Sequence, residues 1–285
     1  MTDKTAMANT EAAQSGGSEP GAVLSLAQVA FGYEPGQAVV AGLSAGLWPG
    51  RLCVLIGPNA AGKSTLLKLM LGQLKPWGGQ VRLGGGAVAD LSAGKRAAWM
   101  SYVPQRGSAS FLFTVRQVIE MARYAIGPDA QAVRWAISQC DLRDVEHRVF
   151  AHLSGGQQQR VMLARAMAQS RGHGRVMLLD EPASSMDLWH VHRTMQILRE
   201  LARSGLAVLV VLHDLNLAAS YADELWLMDG GKLVAAGPWQ TVLEPELLER
   251  IYRVRLTKLQ LQAQDDFVGQ GGRPLFVVHP PDKLT

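Results

Sequence analysis

The sequence predicts an α/β fold, a doubly wound and mainly parallel sheet with an antiparallel β edge and a helical insertion subdomain. Three observations predict it. The apolar run Leu52-Cys53-Val54-Leu55-Ile56 feeds a glycine-rich loop, Gly57 to Thr65, and residues from Ser64 to Leu71 continue at helical spacing. Downstream, short apolar runs of strand length alternate with amphipathic stretches, as strand–helix–strand crossovers require. Within residues 114–149 the apolar positions adopt the helical period through Val115, Val118, Ile119, Ala122, Ala132, Val133, Ala136 and Ile137.

The elements follow in order. Val23 to Val40 reads as two short strands around the turn Tyr33-Glu34-Pro35-Gly36. Leu43 to Leu47 comes next, then a break at Trp48-Pro49-Gly50 and the buried strand Leu52 to Ile56. Residues 76–90, glycine-rich around Val81 and Leu83, predict a turn and a small antiparallel edge. Trp99 to Pro104 predicts a strand ending at Gln105, and the helical subdomain spans about 109–170. Leu153-Ser154-Gly155-Gly156-Gln157 opens a helix from Gly155 to Gln169, and a polar linker, Ser170 to Arg175, precedes a strand from Val176. A helix from Leu188 to Ser204, a strand from Ala207 to Leu212, a helix from Leu215 to Tyr221 and a hairpin of Leu225–Met228 with Lys232–Ala236 complete residues 21–240. Residues 241–285, opening with a helix from Pro245 to Tyr252, form a C-terminal extension.

Composition narrows the function. A chain of 285 residues with 48% apolar and 18% charged residues is globular, with ample material for a core. No apolar stretch approaches the ~20 residues of a membrane-spanning helix, so work at a membrane requires other subunits to cross it. Residues 1–20, small and polar with Ser15-Gly16-Gly17-Ser18 and Pro20, read as a disordered tail lacking the apolar core of a secretory signal. Cys53 and Cys140 lie in apolar runs, which predicts buried thiols rather than a disulfide or a zinc site. The net charge of +4 is carried by scattered Lys and Arg without a basic tract, which argues against a nucleic-acid partner.

Three motifs carry chemistry. Gly57-Pro58-Asn59-Ala60-Ala61-Gly62-Lys63-Ser64-Thr65 fits the phosphate loop G-x-x-x-x-G-K-[ST], whose backbone N–H groups and helix N-terminus face nucleotide phosphates. Lys63 places a cation on the β/γ oxygens and the Ser64 hydroxyl can ligate Mg²⁺. If Ala60 must adopt a positive φ, its side chain costs about 1 kcal/mol. Ser154 with Gly155 and Gly156 opens a helix, either as an anion site or as an ordinary serine cap. Asp180 and Glu181 end an apolar strand before Pro182, where a doubly wound sheet presents ligands.

In this order the three motifs resemble the nucleotide-binding subunit of an ATP-binding cassette (ABC) transporter, a P-loop NTPase, over almost the whole chain. The resemblance implies that Asp180 holds Mg²⁺ and that Glu181 orients the water attacking the γ-phosphate. It implies head-to-tail pairing of two copies, so that Ser154, Gly155, Gly156 and Gln157 of one cap the ATP on the partner's loop. Gln105, after Val103-Pro104, would touch Mg²⁺ and the attacking water, and His213 would contact the γ-phosphate. Asp187 matches the loop crossing the dimer interface. Tyr33 aligns with the aromatic residue that stacks on adenine, or it is a turn tyrosine covering the core.

Finer features resemble the importers of iron–siderophore, haem and cobalamin: His213-Asp214-Leu215-Asn216-Leu217-Ala218, Tyr221-Ala222-Asp223, Val242 to Leu248, Tyr252 and Gly272-Arg273-Pro274. That group implies ATP and Mg²⁺, a second copy of the chain, two transmembrane permease subunits and, indirectly, an external substrate-binding protein. It places the chain peripherally on the cytoplasmic face of the inner membrane, with iron–siderophore as first cargo and haem or cobalamin next. The alternatives are another cargo, an exporter, or an ATP-dependent regulatory module outside transport. Chromosome-maintenance relatives need a long coiled coil between loop and signature, and residues 66–152 carry no sustained heptads.

Overall fold

The computed structural model describes residues 21–105, 112–260 and 274–279. The predicted tail over 1–20, the first residues of the insertion at 109–111, and Gly272 and Arg273 lie outside the described residues. In chain order the first strands and helices are β1 (Leu24–Phe31), β2 (Val40–Leu47), β3 (Leu52–Ile56), α1 (Lys63–Met70), β4 (Gly78–Leu83), β5 (Gly86–Ala87), α2 (Ala93–Trp99) and β6 (Met100–Val103). The insertion contributes α3 (Val115–Glu120), α4 (Ala130–Gln139) and α5 (Gly155–Ser170). The chain continues through β7 (Val176–Asp180), α6 (Leu188–Arg203), β8 (Ala207–Val211), α7 (Leu215–Tyr221), β9 (Glu224–Asp229) and β10 (Lys232–Gly237). It closes with α8 (Trp239–Val242), α9 (Pro245–Tyr252), β11 (Arg255–Gln260) and β12 (Pro274–His279).

A six-stranded sheet runs in the order β10-β9-β3-β8-β7-β6, and every pair in it is parallel except β9–β10. Its inner strands are buried on both faces, which is why they read as unbroken apolar runs rather than alternating ones. Leu52, Val54 and Ile56 face the helices of one layer, while Cys53 and Leu55 face the layer holding α1 and the antiparallel sheet β2-β1-β4-β5. Both cysteines are buried and unpaired with each other, and desolvation pushes the Cys140 thiol up to about 12.

The insertion packs α3 and α4 against α5 through Val115, Val118, Ile119, Val133, Ala136 and Ile137. Arg123, buried beside it, donates to the carbonyls of Ala168 and Arg171 and so satisfies the C-terminal end of α5.

Two local expectations change. The second strand starts at Val40 and runs through to Leu47, absorbing the segment read as separate. Trp99 ends helix α2 rather than opening a strand, and β6 begins at Met100. In the C-terminal extension, α9 has the expected bounds and is followed by a hairpin, β11–β12, whose pairing of Arg255 with His279 joins distant parts of the sequence. Asn216 at the start of α7 clips β12 in place through two hydrogen bonds to the main chain of Phe276.

Candidate functional site

Parallel strands deliver the site to one edge of the sheet. Register pairs Leu55 with Val211 and Asp180 with Val211, so β3, β7 and β8 end together. The residues immediately beyond them are the phosphate loop, Glu181 and His213. Val103 of β6 pairs with Leu179, which brings Gln105 to the same edge.

The loop leaves β3 and closes at Gly62, the N-cap of α1, with φ of 97°. A Cβ at Gly62 would sit 2.6 Å from the carbonyl of Val39, so glycine is required there twice over. Lys63 is 7% exposed and donates to the carbonyls of Gly57 (2.7 Å) and Pro58 (2.8 Å), which holds its ammonium inside the curve of the loop. Burial lowers its pKa, against the opposing fields of Glu181 and Asp180. Ala60 does adopt the left-handed conformation, with φ of 62°. We expect Ala60→Gly to raise stability by up to about 1 kcal/mol, the relief of strain exceeding the added freedom of the unfolded chain. Thermal denaturation of the two proteins checks this, and an equal or lower melting temperature for the glycine variant contradicts it.

Asp180 is buried, and its Oδ1 has no hydrogen-bond partner among the described residues. Desolvation raises its pKa while the Ser64 hydroxyl pulls it down. An orphaned carboxylate oxygen beside an exposed hydroxyl is an oxygen donor set suited to a hard divalent cation. Because its folded pKa is raised, stability is lost as pH climbs from the ordinary carboxylate pKa to the raised folded value, with no cost below the former and the full cost above the latter. Asp180→Asn should therefore melt higher than wild type at neutral pH without nucleotide, with the gap closing in acid. A variant that melts lower at neutral pH contradicts this account of Asp180.

Glu181 is the centre of a side-chain cluster. Gln105 Nε2 donates to its Oε2 at 2.7 Å, and His213 Nε2 is hydrogen-bonded to its Oε1. Glu181 is itself in the left-handed region at φ of 48°, a conformation of a kind that clusters at functional sites. With its amide N–H turned to Glu181, Gln105 has its side-chain oxygen left to face a cation.

Tyr33 is 59% exposed, with one side of its ring packed on the buried Phe31. Its ring stands edge-on to Phe31, with its hydroxyl 3.4 Å from Thr65 Oγ1, so an exposed aromatic face adjoins the phosphate loop. Ser154 caps α5, with a reciprocal pair of hydrogen bonds to Gln157. Ser154 and Gly155 remain exposed, and Gly155 and Gly156 pack against Ser185 rather than against the phosphate loop. Asp187 caps α6, accepting from the His190 main chain and ring, and these bonds hold its carboxyl below the ordinary range.

Gln159 belongs to no motif, yet it is buried where Gln105, Glu181 and Ser185 converge. Its signal in the sequence is positional. It falls on the helical stripe of Met162, Leu163, Ala166 and Met167, where a polar side chain must find partners.

A protein-family profile described as "ABC transporter" matches residues 40–184. The "Hemin import ATP-binding protein HmuV" of Gloeobacter violaceus is 43% identical over 211 residues, 70% of this chain and 77% of that protein. Its counterpart from Agrobacterium fabrum is 38% identical over 227 residues, 77% of this chain and 87% of that one. Among solved structures, an inward-facing metal-chelate type ABC transporter superimposes with TM-score 0.75 at 25% identity, covering 91% of this chain and 98% of that chain. A bacterial Atm1-family ABC exporter with ATP bound reaches TM-score 0.72 at 24% identity over 82% of this chain and 42% of that one, which shows the shared fold alone. The chain belongs to the ABC transporter family, as an ATP-binding subunit that hydrolyses ATP.

Proposed function

We propose that this chain powers the import of haem through separate membrane subunits, in the form of an ATP-dependent head-to-tail dimer. The observation that carries hydrolysis is Glu181, gripped by Gln105 and His213 at the strand end that also presents Asp180. Lys63 and the loop amides bind the β- and γ-phosphates, and Tyr33 stacks on the adenine ring. Glu181 accepts a hydrogen bond from the attacking water and aligns it with the γ-phosphate, while His213 fixes the carboxylate from its other side. Asp180, Ser64 and Gln105 would hold Mg²⁺, which would neutralise charge on the phosphate oxygens. Ser154, Gly155, Gly156 and Gln157 supply the second half of the site to the partner's ATP, and Asp187 lies at the seam between copies.

Among the described residues no helix is long and apolar enough to cross a membrane, so the path for cargo belongs to two permease subunits. The chain then works peripherally at the cytoplasmic face of the inner membrane, beneath an external binding protein. Haem takes precedence over iron–siderophore and cobalamin because the relatives at 38–43% identity are named for hemin import. The metal-chelate neighbour keeps an iron–siderophore cargo as the second reading.

Uptake of labelled haem, ferric siderophore and cobalamin in cells lacking this gene tests the proposal. Loss of haem uptake alone, restored by wild type and not by Glu181→Gln, is the expected result. Loss of siderophore uptake with haem uptake intact would transfer the cargo, and intact uptake of all three would reject the importer reading.

A further inference from the structure

Gln159 is 4% exposed and sits on the flank of α5, the helix whose N-terminus carries Ser154 and Gly155. Its Nε2 donates to the main-chain carbonyl of Gln105 at 2.9 Å and to that of Glu181 at 3.3 Å. The same nitrogen lies 3.5 Å from the Ser184 hydroxyl, and its Oε1 accepts from the main-chain N–H of Ser185 at 3.3 Å. One buried amide thus joins the end of β6, the end of β7 and the loop leading to Asp187. A polar group this buried must keep its partners, so the three segments hold a fixed position relative to α5.

A second contact on the same helix points the same way. A Cβ at Gly156 would meet the Ser185 carbonyl at 2.8 Å, so the first turn of α5 rests directly on the backbone of the Glu181–Asp187 loop. Gln105 and Glu181, whose main chains Gln159 holds, are also joined to each other through their side chains at 2.7 Å. A shift of the exposed end of α5 would therefore reach both residues through this amide.

We propose that Gln159 is a positioning residue that couples the seating of α5 to the placement of Glu181 and Gln105 for hydrolysis. This rests on the ATPase reading of the site. Glu181 holds its left-handed backbone only while its surroundings impose it, and Gln159 supplies one of the restraints on its carbonyl. A Gln159 that only filled the core would affect stability without separating turnover from nucleotide binding.

The test compares wild type, Gln159→Met and Gln159→Asn in steady-state ATP hydrolysis and in titration with a fluorescent ATP analogue. Methionine keeps the length and removes every hydrogen bond; asparagine keeps the amide and withdraws it. The expected result is a turnover number at least tenfold lower in Gln159→Met, with KM and nucleotide affinity within threefold of wild type. Adding Gln105→Ala to Gln159→Met should then lower turnover little further, because both changes break one network. A folded Gln159→Met with turnover within twofold of wild type overturns the proposal, as does a loss that multiplies fully with Gln105→Ala. If Gln159→Met fails to fold, Gln159→Asn is judged by the same criteria. Absence of hydrolysis in wild type would instead strike the ATPase reading, so the two failures are distinguishable.

Discussion

Purified Glu181→Gln should bind ATP like wild type and turn it over at least about 10²-fold more slowly, the scale of a lost general base. The substitution is nearly isosteric. Its amide oxygen still accepts from Gln105 Nε2 and its amide N–H can face His213 Nε2, so the cluster survives while the charge is lost. Phosphate contacts made by Lys63 and the loop amides do not pass through Glu181, which is why affinity persists. Nucleotide titration paired with a phosphate-release assay separates the two effects. Turnover within tenfold of wild type would remove Glu181 from the chemistry.

Lys63→Ala should have the opposite profile, with binding itself failing. The buried ammonium lies inside the loop, held by Gly57 and Pro58 carbonyls, and phosphate oxygens would give it anionic acceptors in addition. A hydrogen bond to a charged group contributes about 1.5–3 kcal/mol, so affinity for ATP should fall roughly 10- to 100-fold or more. Without that cation Asp180 and Glu181 also lose a positive charge whose field reaches both, which further repels a nucleotide. The fold should hold, because the side chain's hydrogen bonds are to the loop alone. Titration with a fluorescent ATP analogue measures the loss, and an affinity within threefold of wild type would contradict it.

The parts of the site visible in the sequence are those where chemistry leaves few choices of residue. A loop that must turn tightly, present N–H groups and carry a cation is confined to glycines with Lys63 and Ser64, and its strand and helix lie on either side. Asp180, Glu181 and His213 were legible because buried strands are apolar throughout, so polar residues at their ends stand out. The strain at Ala60 followed from the same geometric demand.

What the sequence hid has physical causes as well. Gly42 and Gly46 dilute the apolar pattern of β2, which made one strand look like two segments. Helix α2 buries no residue fully, so it leaves no periodic stripe. The β11–β12 hairpin pairs segments whose partners are set by Asn216 and the core rather than by a local turn. Gln159 was masked by two preceding glutamines that face elsewhere. Its place on the apolar stripe of α5 is the one sequence signal that sets it apart from them.

In the proposed dimer each chain holds only half of each ATP site. The phosphate loop is built against Val39, whereas the signature turn is built against Ser185, and each offers its open face outward. The most direct measurement is the solution mass of Glu181→Gln, with and without ATP and Mg²⁺, by light scattering. A single chain is 30.8 kDa; the expected mass doubles with ATP and returns to the monomer value when Ser154 is also replaced by Arg. A Glu181→Gln protein that binds ATP fully and stays monomeric would contradict it.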